Sequence, residues 1–149
     1  MREIKKVLVP VDFSEHSGKI MDYAMDMAER LEAKVYIIHV VGRLQDLPDF
    51  YFHQMPMVEL EAEIAKSAER TMKDLVEKYL NRSTEFETRV TVGDISSKID
   101  EMVKAESIDL IIMGTHGRKG LDRMLFGSVA EQVVKTASCP VMTVNPYKL

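Results

Sequence analysis

Short apolar runs alternate along this chain with longer amphipathic segments, and this alternation constrains the fold more than any other feature of the sequence. Three runs are almost continuously apolar: KKVLVPV at residues 5–11, VYIIHVV at 35–41 and IDLIIM at 108–113. Such runs are typical of strands that are covered on both faces. Residues 86–92 alternate in part and predict a strand nearer the sheet edge, and residues 141–144 predict a fifth strand.

The segments between these runs carry apolar residues at helical spacing. Ser14 is the predicted N-cap of the first helix. Residues 58–80 predict a long helix, Asp94 or Ser96 is expected to cap a short one, and residues 128–137 predict the last. Because strand–helix–strand connections are right-handed crossovers, the strands must be parallel with helices on both faces, which is a doubly wound α/β fold. The stripe of the first helix consists of Ile20, Tyr23, Ala24, Met27, Ala28 and Leu31.

A doubly wound sheet binds ligands beyond the carboxyl ends of its strands, where neighbouring connections leave in opposite directions. The long segment 42–57 follows one of these ends and has no sustained period, so it predicts a loop. This loop either covers a ligand or a partner subunit, or folds its aromatic triplet Phe50, Tyr51 and Phe52 back onto the domain.

Length and composition exclude several classes of protein. A chain of 149 residues corresponds to one domain, so we expect residues 1–149 to share a single core. The one cysteine, Cys139, cannot form an internal disulfide, and no apolar stretch approaches the roughly 18 residues of a transmembrane helix. The first residues lack a signal-peptide pattern, so we expect a cytoplasmic protein with no membrane partner. A formal net charge of −4 argues against a nucleic-acid partner, yet it allows a local basic patch for a small phosphorylated ligand.

The most informative stretch is MGTHGRKGLDRMLFGSV at residues 113–129, which follows a predicted strand and leads into a helix. Its glycines allow successive backbone N–H groups to converge on an oxyanion. Ser128 opens the helix, with Glu131 as its predicted capping-box partner, so the positive end of the helix dipole faces the loop. These features predict a phosphate-binding loop. Its local charge of +2 comes from Arg118, Lys119 and Arg123 against Asp122.

Two common phosphate-binding motifs are absent. The chain has no GxxxxGK[ST] sequence, and PVDFSEHS stands after the first strand where a GxGxxG motif would be expected. The glycines instead follow the pattern G-x2-G-x9-G-S at Gly114, Gly117, Gly127 and Ser128. Together with VPVDFS after the first strand and CPVMTV at the last, this pattern resembles the universal stress protein family, in its ATP-binding branch. The resemblance covers essentially the whole chain.

The resemblance implies a five-stranded parallel sheet in the order 3-2-1-4-5, with an ATP pocket at the carboxyl ends of the first and fourth strands. AMP or ADP could occupy the same pocket, and a Mg²⁺ or Mn²⁺ ion would bridge the phosphates. The implied contacts are Asp12 and the Val40 backbone at the adenine; Pro10, Val11 and Gly114 beside the ribose; Gly117, Gly127, Ser128 and Val129 at the phosphates; and Met113 and His116 flanking the nucleotide.

The resemblance also implies a homodimer built through the last strand, Val141–Val144, a pairing that an exposed apolar edge strand favours physically. The leading hypothesis is a nucleotide-dependent sensor or regulator of the stress response, acting through the loop, the dimer interface or another protein. The alternative is a slow ATPase or phosphotransferase in which Asp12 or His116 takes part. A phosphoacceptor receiver-like domain is disfavoured, because a single Asp12 follows the first strand and Asn145, not a lysine, follows the last.

Overall fold

The computed structural model describes residues 2–43, 56–117 and 126–149. In these ranges, parallel strands and helices alternate along the chain as the sequence predicts. The elements are β1 (Lys6–Pro10), α1 (Ser17–Leu31), β2 (Lys34–Val41), α2 (Met57–Val76), β3 (Phe86–Val92), α3 (Ile95–Glu106), β4 (Leu110–Gly114), α4 (Ser128–Thr136) and β5 (Val141–Val144).

The strands form one parallel sheet in the order β3-β2-β1-β4-β5, which confirms the predicted order 3-2-1-4-5. β1 lies at the centre of the sheet, with Val7 paired both to Val35 of β2 and to Leu110 of β4. The chain leaves β1 towards β2 and leaves β4 towards β5, on the other side. A crevice therefore opens between the carboxyl ends of β1 and β4.

Helices cover both faces of the sheet, because successive strand side chains point to opposite sides. On one face, Val7, Val9 and Ile37 pack with α1 and the end of α2; on the other, Leu8 and Ile111 pack with α3 and α4. All five of these strand side chains are fully buried. Each contributes about 1.5–3 kcal/mol to folding relative to an exposed position.

The predicted cap of α1 is wrong. The helix begins at Ser17 after His16, whose side chain makes no capping hydrogen bond. Ser14 instead shapes the turn before the helix, since its carbonyl accepts from the N–H of Ser17 at 3.0 Å and its hydroxyl accepts from the N–H of His16 at 3.3 Å. The Asp12 carboxylate stabilises this turn by accepting a hydrogen bond from the Ser14 N–H. The turn places Ser14 before the N-cap position, which His16 occupies.

The capping box of α4 is also wrong. Ser128 is the first helical residue as predicted, but the N-cap is Gly127, which has no side chain to form such a box. Glu131 forms an ion pair with Lys135, one turn further along the same helix. In α3, by contrast, the predicted cap Asp94 is confirmed, because its carboxylate accepts from the N–H of Ser97.

Two predicted segments extend beyond the described residues. Most of the loop at 42–57, including Phe50, Tyr51 and Phe52, lies outside them, as do Arg118, Lys119, Asp122 and Arg123 of the basic loop. The long helix predicted over 58–80 is α2, followed by a single 3₁₀ turn at Glu77–Tyr79. Within the described ranges we find no helix with the length and hydropathy that crossing a bilayer requires.

Candidate functional site

A cavity of about 560 Å³ lies at the carboxyl ends of β1, β2 and β4. This volume is within the roughly 300–1,000 Å³ range of small-molecule sites, and its position is the switch point of the sheet. Every residue that we assigned to the candidate site from the sequence contributes to its wall. They are Pro10, Val11, Asp12, Val40, Met113, Gly114, His116, Gly117, Gly127, Ser128 and Val129.

Further residues line the cavity that the sequence did not single out. Ile95 and Ile99 of α3 line the cavity, although their spacing in the sequence is that of an ordinary core stripe. His39, which precedes Val40 on β2, also lines it. The residues in the turn after β1 and at the start of α1 could have been predicted from the sequence, because they follow Asp12 directly and must lie near any ligand that Asp12 contacts. The remaining additions are Ser14, His16, Ser17, Ile20, Ile38, Thr115, Phe126 and Ala130.

The Asp12 carboxylate joins the turn after β1 to the start of α1. Its Oδ1 atom accepts hydrogen bonds from the Ser14 N–H at 2.9 Å and from the Ser17 hydroxyl at 3.1 Å. The Oδ2 atom faces the loop after β4, and a Cβ added to Gly117 would lie only 2.6 Å from it. Side chains almost never show so short a contact, so a residue other than glycine at position 117 would displace the Asp12 carboxylate.

The loop after β4 closes on itself at Gly127. Its N–H donates to the carbonyl of Thr115 at 2.7 Å, and a Cβ at this position would lie 3.0 Å from the same carbonyl oxygen. The neighbour is backbone and cannot move aside as a flexible side chain could. The second and third glycines of the G-x2-G-x9-G-S pattern therefore allow two close approaches, one to Asp12 and one to the backbone of Thr115.

Phe13 holds the turn beside Asp12 in a strained conformation. Its φ of 60° lies in the left-handed region, which costs a residue other than glycine about 1–2 kcal/mol. The Phe13 ring stacks on His39 with centroids 4.0 Å apart, and Nδ1 of His39 lies 2.8 Å from the carbonyl oxygen of Val11. Because a carbonyl can only accept, Nδ1 carries the proton in this contact. The stack on Phe13 and the hydrogen bond to Val11 together hold the backbone on both sides of Asp12.

Two helices present their N-terminal ends to the cavity, α1 through Ser17 and α4 through Ser128. The first turn of a helix carries N–H groups without intrahelical partners and the positive end of the helix dipole. The Asp12 carboxylate already lies at the start of α1, so the amides at the glycines and the N-terminal end of α4 are the part of the wall that favours an anion. Among the described residues, no group of three or more His, Cys, Asp or Glu side chains is arranged to bind a metal ion.

Comparison with known proteins agrees with this geometry. The model of the universal stress protein family matches residues 3–145. The chain belongs to the universal stress protein family. It is 34% identical to universal stress protein MJ0531 of Methanocaldococcus jannaschii over 146 residues, which span 97% of this chain and 84% of that protein.

Solved structures of universal stress proteins share the fold. The structure of MJ0577 from the same archaeon superimposes with a TM-score of 0.76 at 26% identity, covering 96% of each chain. A universal stress protein solved in complex with cAMP has a TM-score of 0.61 at 22% identity and covers 97% of this chain and 99% of its own. A universal stress protein from Archaeoglobus fulgidus, solved with dAMP, has a TM-score of 0.57 at 19% identity and covers 95% and 98%. Some members of the family therefore bind adenine nucleotides.

Proposed function

We propose that this universal stress protein binds ATP in the cavity between β1 and β4 and acts as a nucleotide-dependent sensor or regulator of the stress response. The observation that carries the proposal is that the cavity wall combines the strand ends, the glycine loop and the N-terminus of α4. The nucleotide complexes of the cAMP-bound and dAMP-bound relatives support an adenine nucleotide as the ligand class. We further propose that residues 1–149 form one domain and that the protein acts in the cytoplasm.

The phosphate end of the ligand would lie against the loop after β4. The amides around Gly117 and at Gly127, Ser128 and Val129, together with the Ser128 hydroxyl, are the proposed donors. The absence of side chains at the two glycines leaves the loop close to Asp12 and Thr115, where a Cβ would contact an oxygen atom. The positive end of the α4 dipole favours the negative charge of the phosphates.

The base and ribose would occupy the rest of the cavity, between Asp12 and the side chains of β2 and α3. Asp12 and the Val40 backbone are the proposed adenine contacts, with Pro10, Val11 and Gly114 beside the ribose. Ile95 and Ile99 of α3 would add apolar surface against the ring. Hydrogen bonds to Ser14 and Ser17 already fix the orientation of the Asp12 carboxylate, so little side-chain entropy would be lost when a ligand binds.

A divalent ion fits this proposal only as a companion of the phosphates. Mg²⁺ keeps several water ligands and is usually bound through substrate phosphates plus one or two carboxylates. The described residues provide no cluster that would hold such an ion by itself. We therefore propose that Mg²⁺ or Mn²⁺ enters with ATP and neutralises part of its charge.

We also propose a homodimer through β5. This strand forms one edge of the sheet, and Val141, Met142 and Thr143 are only partly buried. Val134 of the neighbouring helix α4 is 49% exposed. An edge strand with free backbone groups beside apolar side chains favours pairing with a second copy about a two-fold axis.

The test is direct. The purified protein is denatured, and released nucleotide is identified by chromatography; the apoprotein is then titrated calorimetrically with ATP, ADP, AMP and GTP, each with and without Mg²⁺. We expect an adenine nucleotide in the released fraction and tighter binding of ATP than of GTP. No released adenine nucleotide, together with no ATP binding at millimolar concentration, would contradict the proposal. Product formation measured in the same samples distinguishes a binding protein from a slow ATPase.

A further inference from the structure

The turn that follows β5 is firmly built and lies beside the cavity. Asn145 caps a short 3₁₀ helix, Pro146–Lys148, by accepting the Tyr147 N–H on its side-chain oxygen at 3.0 Å. Pro146 is buried, and the Val144 carbonyl accepts the N–H of Thr115 at 2.9 Å. These contacts fix the position of Tyr147 relative to the loop after β4.

The Tyr147 ring contacts two histidines that come from different loops. It meets His16 edge to face with ring centroids 5.0 Å apart at 72°, and His116 at 5.2 Å and 80°. Both histidines line the cavity, and they are 8% and 9% exposed. Tyr147 therefore connects the turn before α1 to the loop after β4 from a third segment of the chain.

The two histidines lie at the end of the cavity that would receive phosphate. His16 directly precedes the first residue of α1, and His116 stands between Thr115 and Gly117. The Nδ1 atom of His116 lies 2.7 Å from the Thr115 hydroxyl, which sets the orientation of the ring in its plane. Imidazole N–H groups are good donors to phosphate oxygens, provided that the rings are held in place.

We propose that Tyr147 is a positioning residue for the phosphate end of the site. This inference rests on the proposed function, and it assigns a role to a residue that does not itself line the cavity. By packing against both rings, Tyr147 holds His16 and His116 in the cavity wall beside the proposed phosphates, where the Nε2 atom of His16 also lies 3.7 Å from the Glu15 carboxylate. Loss of the ring leaves the adenine and ribose contacts intact and weakens the contacts to phosphate.

The experiment compares ATP with adenosine, which lacks the phosphates. Calorimetric affinities for both are measured for wild type, Tyr147→Ala, Tyr147→Phe and the control Leu149→Ala, which truncates an exposed apolar side chain in the same segment. We expect Tyr147→Ala to bind ATP about tenfold more weakly and adenosine equally well, because edge-to-face ring contacts are modest individually. Tyr147→Phe keeps the ring edges and should retain most of the ATP affinity that Tyr147→Ala loses, and Leu149→Ala should match wild type.

A second measurement does not depend on ligand. The ring proton resonances of His16 and His116 are compared by NMR in wild type and Tyr147→Ala, and both should move when the neighbouring ring is removed. Equal losses for ATP and adenosine would show a merely structural role and overturn the proposal. So would unchanged ATP binding by Tyr147→Ala, or a Tyr147→Phe variant as weak as Tyr147→Ala. If wild type binds no ATP, the proposed function fails, and this inference fails with it.

Discussion

The backbone N–H of Gly127 donates a 2.7 Å hydrogen bond to the carbonyl of Thr115, which closes the loop between β4 and α4 at its base. A side chain at position 127 would press on the same carbonyl oxygen from 3.0 Å. The phosphate-binding geometry that we propose therefore depends on a backbone contact that only glycine allows without displacement.

Gly127→Val should weaken ATP binding while leaving the fold intact. The branched side chain forces the loop away from Thr115 and displaces the first amides of α4, so we expect at least about a tenfold loss of affinity. Calorimetry measures the loss, and circular dichroism verifies folding. The matched control is Gly42→Val, because a Cβ at position 42 has no atom within 4 Å. Wild-type affinity in a folded Gly127→Val protein would remove Gly127 from the site.

Gly117→Ala should destabilise the protein through Asp12. The added methyl group would lie 2.6 Å from Oδ2, so the carboxylate must move away from its hydrogen bonds with Ser14 and Ser17. We expect a loss of about 1–3 kcal/mol in the free energy of unfolding, measured by urea denaturation. In an Asp12→Ala background the same substitution should cost much less, because the opposing atom is gone. Equal costs in both backgrounds would refute the contact.

Phe13→Gly should be more stable than Phe13→Ala, the reverse of the usual order. Both substitutions remove the stack on His39, but only alanine keeps the penalty of a φ near 60°, so we expect a difference of about 1 kcal/mol in favour of glycine. Thermal and urea denaturation measure it. Phe86 on β3 is the control, since glycine should be the less stable replacement in a strand. The same order at both positions would argue against a strained turn.

Asp94 should stabilise the fold at neutral pH and lose this effect in acid. Hydrogen bonds from Ser97 and Ser96 lower the pKa of the Asp94 carboxyl below its ordinary value, because they favour the charged form. A depressed pKa in the folded state means that the stabilisation is present above the ordinary pKa near 4 and is lost as the pH falls through the folded-state value. Asp94→Ala should therefore cost about 1 kcal/mol at pH 7 and clearly less at pH 2.5. A cost independent of pH would contradict a charged cap.

Thr143→Lys should convert the proposed dimer to monomers. A lysine in the middle of an edge strand places charge where a second copy would pair, and natural edge strands use this device to prevent association. Sedimentation velocity measures the mass, with Thr71→Lys on the exposed surface of α2 as the control. A wild-type monomer, or a Thr143→Lys dimer as tight as wild type, would exclude β5 as the interface.

The sequence predicted the sheet well because each buried strand is a continuous apolar run, and the switch point followed from the alternation of strands and helices. The prediction failed at the start of α1, where short polar side chains bond to one another and to the backbone. Asp12 and Ser14 lie in the turn after β1 and Ser17 begins α1, and the arrangement of their hydrogen bonds depends on which carboxylate oxygen of Asp12 faces the loop after β4. Spacing in the sequence contains no information on that choice.

Two other parts of the site could not be predicted for different reasons. Ile95 and Ile99 have the spacing of a core stripe, and only the tertiary position of α3 shows that they also border the cavity. Tyr147 lies in a turn of a few residues that has no period at all. The Tyr147 ring contacts His16 and His116 only because the chain passes beside these two histidines after it leaves β5.

The central position of β1 has a consequence for how the protein is made. One edge of this strand pairs with β2, which follows soon in the chain, but on its other edge Val7 pairs with Leu110. During synthesis, the edge of β1 that pairs with β4 therefore cannot form its hydrogen bonds until most of the chain has left the ribosome. Pairings between distant residues are also slow to form, because a long loop must close first. The crevice beyond β1 and β4 is thus completed late, and a nascent chain that lacks β4 has no pocket in which to hold a nucleotide.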